Sequence, residues 1–223
     1  MALQSLTIRL PEKGERAFRH RGTPADLGVI AQMFESQDYS LGRLRRGAEL
    51  HALYEELLRS GARPLILDAG ANIGASAVFF GVHFPRAHIV ALEPSADNFE
   101  LLRANTAGLD VDARCAAIGA QDGTGVAVHA ASRLISEKLA AGYQPYIAKI
   151  DIEGGEQELF SRDTGWADGF ALLIIELHDW LLPRAGSARN FLRWAAERDR
   201  DFVYIGENIF SIANEWTRGA FHG

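Results

Sequence analysis

Leu6, Ile8 and Leu10 alternate with Thr7 and Arg9, the period of a short strand with one buried face. Thr23-Pro24 then opens a helix, with Thr as the cap and Pro in the first turn, and Leu27, Ile30 and Phe34 follow at helical spacing. From about Arg43 to Ser60, Leu50, Leu53, Tyr54, Leu57 and Leu58 form one stripe, which Gly61 and Pro64 end. After Pro64 strands and helices alternate. Leu65-Ile66-Leu67 runs into a glycine-rich turn and a helix to about Phe84; a strand is predicted from His88 to Leu92 and a helix from Ser95 to about Asn105. Val111 to Ile118, Val126 to His129 and Tyr146 to Ile152 read as strands, with a short helix from Gly155 to about Ser161. Phe170 to Leu177 is nearly all apolar, as a central strand covered on both faces should be. A helix from about Ser187 to Arg198 leads to strands at 201–205 and 208–212, whose tight Gly206-Glu207 link makes them an antiparallel pair. This pattern predicts an α/β fold: a doubly wound, mostly parallel Rossmann-like sheet over 63–223, ending in a hairpin. Residues 1–62 form a small strand and helix extension that could cap a substrate.

The chain has 223 residues, which fits one such domain. With 23 Lys and Arg against 29 Asp and Glu it carries a net charge of −6, which argues against a nucleic-acid partner gripped by a broad basic face. Arg43, Arg45 and Arg46 make one small basic run, read as a solvated helix face ahead of a contact for an anionic acceptor. Cys115 is the only cysteine, so no intrachain disulfide forms, and its apolar surroundings predict a buried thiol. No apolar run reaches the ~20 residues that cross a bilayer, and the expected location is the cytoplasm.

The first strand of the alternating region ends in Asp68-Ala-Gly70-Ala-Asn72-Ile-Gly74. Gly70 lets backbone approach a ligand, and Gly74 lets the helix pack tightly on the strand. The second strand ends in Glu93-Pro94, an acid placed to accept hydrogen bonds from ribose hydroxyls. A dinucleotide fingerprint wants Gly-x-Gly-x-x-Gly and a helix end aimed at pyrophosphate. Here the spacing is Gly-x-x-x-Gly with a carboxylate just before it, which would repel pyrophosphate but suit the amine of a methionine moiety. S-adenosylmethionine therefore fits better than NAD. The plainer alternative is that Asp68 and Glu93 only cap the helices that follow them.

Lys149-Ile-Asp151-Ile-Glu153-Gly154-Gly155-Glu156 closes a later strand, and Glu176-Leu-His178-Asp179 closes the next. Alternation puts Lys149, Asp151 and Glu153 on one face if the strand continues that far. Asp151, Glu153, Glu176 and His178 would then gather beside the methyl donor. The segments DAGANIGASAVFF, ALEPSADNFELLRAN, AAIGAQDG, AKIDIEGGEQELF and IIELH, in that order, resemble the FkbM family of S-adenosylmethionine-dependent methyltransferases. The resemblance implies a seven-stranded methyltransferase fold and O-methylation of a hydroxyl on a small molecule, natural product or glycan. It also implies cofactor contacts from Asp68, Gly70, Asn72, Gly74 and Glu93, an adenine pocket lined by Ala117 and Ile118, and a reaction centre at Asp151 and Glu153. The chain between Gly125 and Lys149 is shorter than the family's usual length, so the substrate-facing loop departs from its pattern.

Methyl transfer needs alignment and removal of a proton from the acceptor. His178 is the favoured base because imidazole titrates near neutrality, with Asp151 or Glu176 orienting it or taking the proton instead. Other readings stand beside this one. In the plainer alternatives, His178 simply ends a buried strand, and Asp151 is satisfied by the amides at Gly154-Gly155. Asp151, Glu176 and His178 could also ligate Mg²⁺ or a transition ion, although the expected site is metal-free. Trp180, Leu181 and Leu182 could wall an acceptor pocket or bury a homodimer contact. Across classes, the alternatives are a silent methyltransferase-like module that binds a ligand or partner, and an NAD-dependent oxidoreductase.

Overall fold

A computed structural model describes residues 3–10, 14–123 and 127–215. The strand expected at the N-terminus is half of a hairpin. β1 (Gln4–Leu10) pairs antiparallel with β2 (Gly14–His20), with Leu6 opposite Phe18. α1 (Pro24–Phe34) follows, capped as expected by Thr23, whose hydroxyl accepts from the Asp26 amide at 3.1 Å. The second helix divides into a 3-10 turn at Leu41–Arg43 and α2 (Gly47–Arg59). Arg43 pairs there with Asp38, and Arg46 with Glu49 and Asp201, so two members of the basic run are held by acids of this chain.

The alternating region contains β3 (Arg63–Ala69), α3 (Ala75–His83), β4 (His88–Leu92), α4 (Ala96–Thr106), β5 (Val111–Arg114), β6 (Ala117–Gly119), β7 (Val128–Ala130), α5 (Ala131–Ala140) and β8 (Tyr143–Ile150). It continues through α6 (Glu156–Leu159), α7 (Gly165–Asp168), β9 (Leu172–Glu176), α8 (Arg189–Ala196), β10 (Arg200–Ile205) and β11 (Asn208–Ala213). Seven strands form one sheet in the order β10-β11-β9-β8-β3-β4-β5. β3, β4, β5, β8 and β9 are parallel; β11 runs antiparallel to β9 and β10 to β11. The chain winds outward from β3 through β4 to β5, then returns to β8 on the other side of β3. That reversal opens a crevice at the carboxyl ends of β3 and β8, where ligands bind in open α/β sheets.

Sequence and structure also differ within the alternating region. The strand expected over 111–118 breaks at Cys115, where the chain leaves the sheet, and β6 pairs instead with β7. Cys115, at this break, is exposed rather than buried. The strand expected to start at Val126 begins outside the described residues, and what is seen of it is β7. β8 stops at Ile150, two residues early, and α5 fills a stretch for which no helix was expected.

Both sheet faces are covered, which explains the near-continuous apolar runs of the central strands. Ile66, Ile89, Ile147 and Ile174 face one layer, with Phe79, Phe80 and Phe84. Leu67, Val90, Ala148 and Ile175 face the other, with Phe160, Phe191 and Trp194. Ile8, Phe18, Ile30, Met33 and Leu50 from the N-terminal segment join the first layer's cluster. One side chain fastens the hairpin to the sheet. Asn105, fully buried in α4, accepts from the Arg19 amide at 2.7 Å and donates to the carbonyls of Arg19 at 2.9 Å and Ile73 at 2.8 Å. Among the described residues no helix is long and apolar enough to cross a membrane.

Candidate active site

The loop after β3 turns because three of its residues adopt left-handed backbone: Gly70 at φ 79°, Asn72 at φ 49° and Gly74 at φ 90°. The Gly70 and Ala71 amides donate to the Leu92 carbonyl at 3.0 and 2.9 Å, joining the loop to the end of β4. A β-carbon on Gly70 would lie 1.8 Å from the Asp151 carbonyl oxygen, so glycine permits the ends of β3 and β8 to touch. At Gly74 the space is taken by Leu102 of α4, 3.0 Å from an added β-carbon. The close packing expected there is therefore helix against helix, not helix against strand.

Glu93 leaves β4 almost buried, at 6% exposure. One carboxylate oxygen accepts from the Asn72 amide at 2.9 Å; the other accepts from the Ser95 amide at 2.9 Å and from Asn98 Nδ2 at 3.4 Å. Ser95, not Glu93, caps α4. A cleft of about 380 Å³ opens in front of this carboxylate, walled by Gly70, Asn72, Glu93, Ala117, Ile118 and Asp151, with Glu153 at its edge. Seven of the residues expected at the site thus meet in one cleft. Glu153 itself is exposed, at φ 52°, because the strand alternation ends at Ile150.

Asp68 is absent from that wall. It lies behind the loop, fully buried, accepting from Ser76 Oγ at 2.6 Å and standing 3.5 Å from Lys149 Nζ. Lys149 donates to the carbonyls of Gly70 at 2.6 Å and Ala69 at 3.2 Å, and its Nζ is 3.6 Å from Asp151. Burial raises the Asp68 carboxyl, with Lys149 and Ser76 pulling the other way. Burial also works against the Lys149 ammonium, but Asp151, Tyr39 and Asp68 outweigh it, and Lys149 is held protonated. A fixed ammonium therefore braces the loop from beneath. Sequence reasoning gave Lys149 no role; the signal available was a lysine inside an otherwise apolar run.

Beyond Asp151 three further groups converge. His178 is 3% exposed, with Nδ1 2.8 Å from Glu156 and Nε2 3.5 Å from both Asp151 and Glu176. Glu156, the first residue of α6, is fully buried, and one of its oxygens has no hydrogen-bond partner. It too carried no expected role, since nothing in its acidic segment distinguishes the buried acid from its exposed neighbours. Glu176 is pushed up to about 6, first by burial and then by the charge of Asp151. Trp180, Leu181 and Leu182 follow, all exposed.

No family model matches the chain, and no curated protein matches it. Solved structures do. The O-methyltransferase TomG from Streptomyces achromogenes, described as involved in tomaymycin synthesis and solved in complex with SAM, is 15% identical. That match covers 87% of this chain and 92% of TomG, with a TM-score of 0.50. An O-methyltransferase from Bacillus cereus, solved in complex with SAH, is 16% identical over 86% of this chain and 98% of its own, with a TM-score of 0.46. The chain has the class I, Rossmann-like methyltransferase fold: a mostly parallel seven-stranded sheet with flanking helices and a closing antiparallel hairpin.

Proposed function

We propose that the protein is an S-adenosylmethionine-dependent methyltransferase acting on a hydroxyl of a small molecule, natural product or glycan. The observation that carries this reading is Glu93. Its carboxylate is fixed by three donors at the end of β4, retains lone pairs for ribose hydroxyls, and faces a cleft beside the glycine loop. The residues fit a nucleoside. Ala117 and Ile118 supply apolar wall for adenine, and Gly70 and Asn72 supply bare backbone toward the methionine end. Asp68 contributes through Lys149, which orders the loop, rather than by touching a ligand. The TomG likeness, with SAM named in that complex, supports the same cofactor. The FkbM attribution rests on the Lys149–Glu156 and Ile174–His178 segments quoted above.

Bound in the cleft, S-adenosylmethionine would supply a methyl group already activated on a sulfonium. The chain's part is to align the acceptor and take its proton. One of the group Asp151, Glu176 and His178 receives that proton, with Asp151 on the cleft wall and the other two behind it, and Glu156 holds the imidazole with Nε2 near the two acids. Trp180, whose ring centre is 6.4 Å from that of His178, and Leu182, packed against Gly154, offer the acceptor an apolar flank. His178→Ala should lower turnover by about 10²–10⁴-fold while leaving cofactor affinity within about twofold; single-turnover kinetics beside calorimetry would check it, and unchanged turnover would remove His178 from the reaction.

Calorimetric titration with S-adenosylhomocysteine, with NAD⁺ as control, tests the cofactor. The expected result is micromolar binding of the first alone, weakened at least tenfold by Glu93→Ala, which removes charge-assisted hydrogen bonds of about 1.5–3 kcal/mol. Binding of neither ligand would leave a silent module; binding of NAD⁺ alone would point to an oxidoreductase.

A further inference from the structure

The two ring nitrogens of His178 have different surroundings. Nδ1 is 2.8 Å from a buried carboxylate of Glu156, the length of a charge-assisted hydrogen bond. Nε2 makes no hydrogen bond. It points between Asp151 Oδ1 and Glu176 Oε1 and stands 3.5 Å from each. An imidazolium donating to either acid would close to about 2.7–2.9 Å. Two atoms bound to one ion at about 2.0–2.2 Å lie roughly 3.0–3.5 Å apart at octahedral to tetrahedral angles. Both distances from Nε2 match that spacing, and one atom from each of the three residues lies within 4.8 Å of the others, close enough to converge on one ion.

Glu156 adds the independent sign. A histidine that binds a metal through one nitrogen almost always gives the other N–H to a carboxylate, which fixes the tautomer and raises the basicity of the ligating nitrogen. Glu156 makes its shortest contact to the imidazole. It is wholly buried, opens α6, and spends its one partnered oxygen on His178, with longer contacts at 3.4 Å to the amides of Ile152 and Gly154. On the opposite side Lys149 lies 3.6 Å from Asp151 Oδ2, which leaves Oδ1 turned to the imidazole.

We infer that Asp151 Oδ1, Glu176 Oε1 and His178 Nε2 form a binding site for a divalent first-row metal ion, with Glu156 positioning the histidine. Two carboxylates and one imidazole suit Mn²⁺ or Zn²⁺ better than Ca²⁺ or Mg²⁺, which favour oxygen alone. Three protein ligands leave coordination positions open, and Asp151 also lines the cleft, so an oxygen of an incoming acceptor can reach the ion. A Lewis acid there lowers the pKa of a bound hydroxyl. With an ion bound, His178 is a ligand and the proton passes to solvent; the proton-accepting role of this group belongs to the metal-free protein. The site rests on its own geometry and does not require the cofactor reading.

The full chain, stripped with chelator and dialysed, would be titrated with Mn²⁺ while the free-ion electron paramagnetic resonance signal is followed. One site per chain is expected, competed by Zn²⁺ far more strongly than by Mg²⁺. Glu176→Gln and His178→Gln should each weaken it at least tenfold, and Glu156→Gln by about 10–100-fold. Glu100→Gln, on the exposed face of α4, should change nothing. Far-UV circular dichroism checks each variant for folding, and Asp151→Asn, at a partly exposed position, substitutes for any that fails. Absence of a stoichiometric site, or a site indifferent to these ligand changes, overturns the inference. Mn²⁺ binding without S-adenosylhomocysteine binding would sink the cofactor reading and leave this site standing; the reverse would sink the site alone.

Discussion

Gly70→Ala should abolish measurable S-adenosylhomocysteine binding and lower stability by about 2–5 kcal/mol. Two costs add. A side chain at φ 79° pays about 1–2 kcal/mol for left-handed backbone. Overpacking adds about 1–3 kcal/mol, and here the obstacle, 1.8 Å away, is the Asp151 backbone carbonyl, which has no rotamer with which to escape. The ends of β3 and β8 must separate, and they form the floor of the cleft. Gly74→Ala makes a useful comparison. Its new methyl would meet Leu102 at 3.0 Å from a terminal carbon and 3.2 Å from Cα, contacts a few tenths of an ångström of yielding can relieve, so the loss should be smaller despite a similar φ. Urea unfolding of both variants decides it; a Gly70→Ala protein within about 1 kcal/mol of wild type would mean the strand ends are not closed as described.

Lys149→Met should cost about 3–5 kcal/mol, because it leaves Asp68 as an uncompensated acid in the core and removes the donor to the Gly70 carbonyl. Adding Asp68→Asn should restore part of the loss, since an amide tolerates burial where a charge does not. The pH dependence has a definite sign. A carboxyl whose folded pKa is raised binds more protons folded than unfolded, so its stability contribution is full below the unfolded pKa and falls as pH rises toward the folded one. Without Lys149 that rise grows, and the variant should be less impaired in acid than at neutrality. Denaturation midpoints from pH 4 to 8 provide the check. A deficit that widens toward acid would contradict the pairing.

The doubly wound core was legible because its strands are apolar on both faces and its helices begin and end on recognisable residues. Ser95, Gly61 and the link at Gly206-Glu207 all behave as their chemistry dictates. β2 was not legible. In Gly-Glu-Arg-Ala-Phe-Arg-His, Phe18 is the one large apolar residue, and its burial is conferred by distant neighbours rather than by alternation. α5 was missed for another reason: it follows β7 directly, and Ala130 offers no capping side chain. The cleft could be read because its residues sit at strand ends, where topology places them together. The supporting groups could not. Lys149 and Glu156 act from within the protein, and their roles emerge only from what surrounds them.

Asn105 bears on folding. The side chain that clasps Arg19 lies 86 residues further along the chain. A contact across so long a stretch of chain is slow to form. The same amide also grips Ile73 in the glycine loop. Loosening the β1–β2 hairpin would consequently register at the cleft as a loosening of the glycine loop.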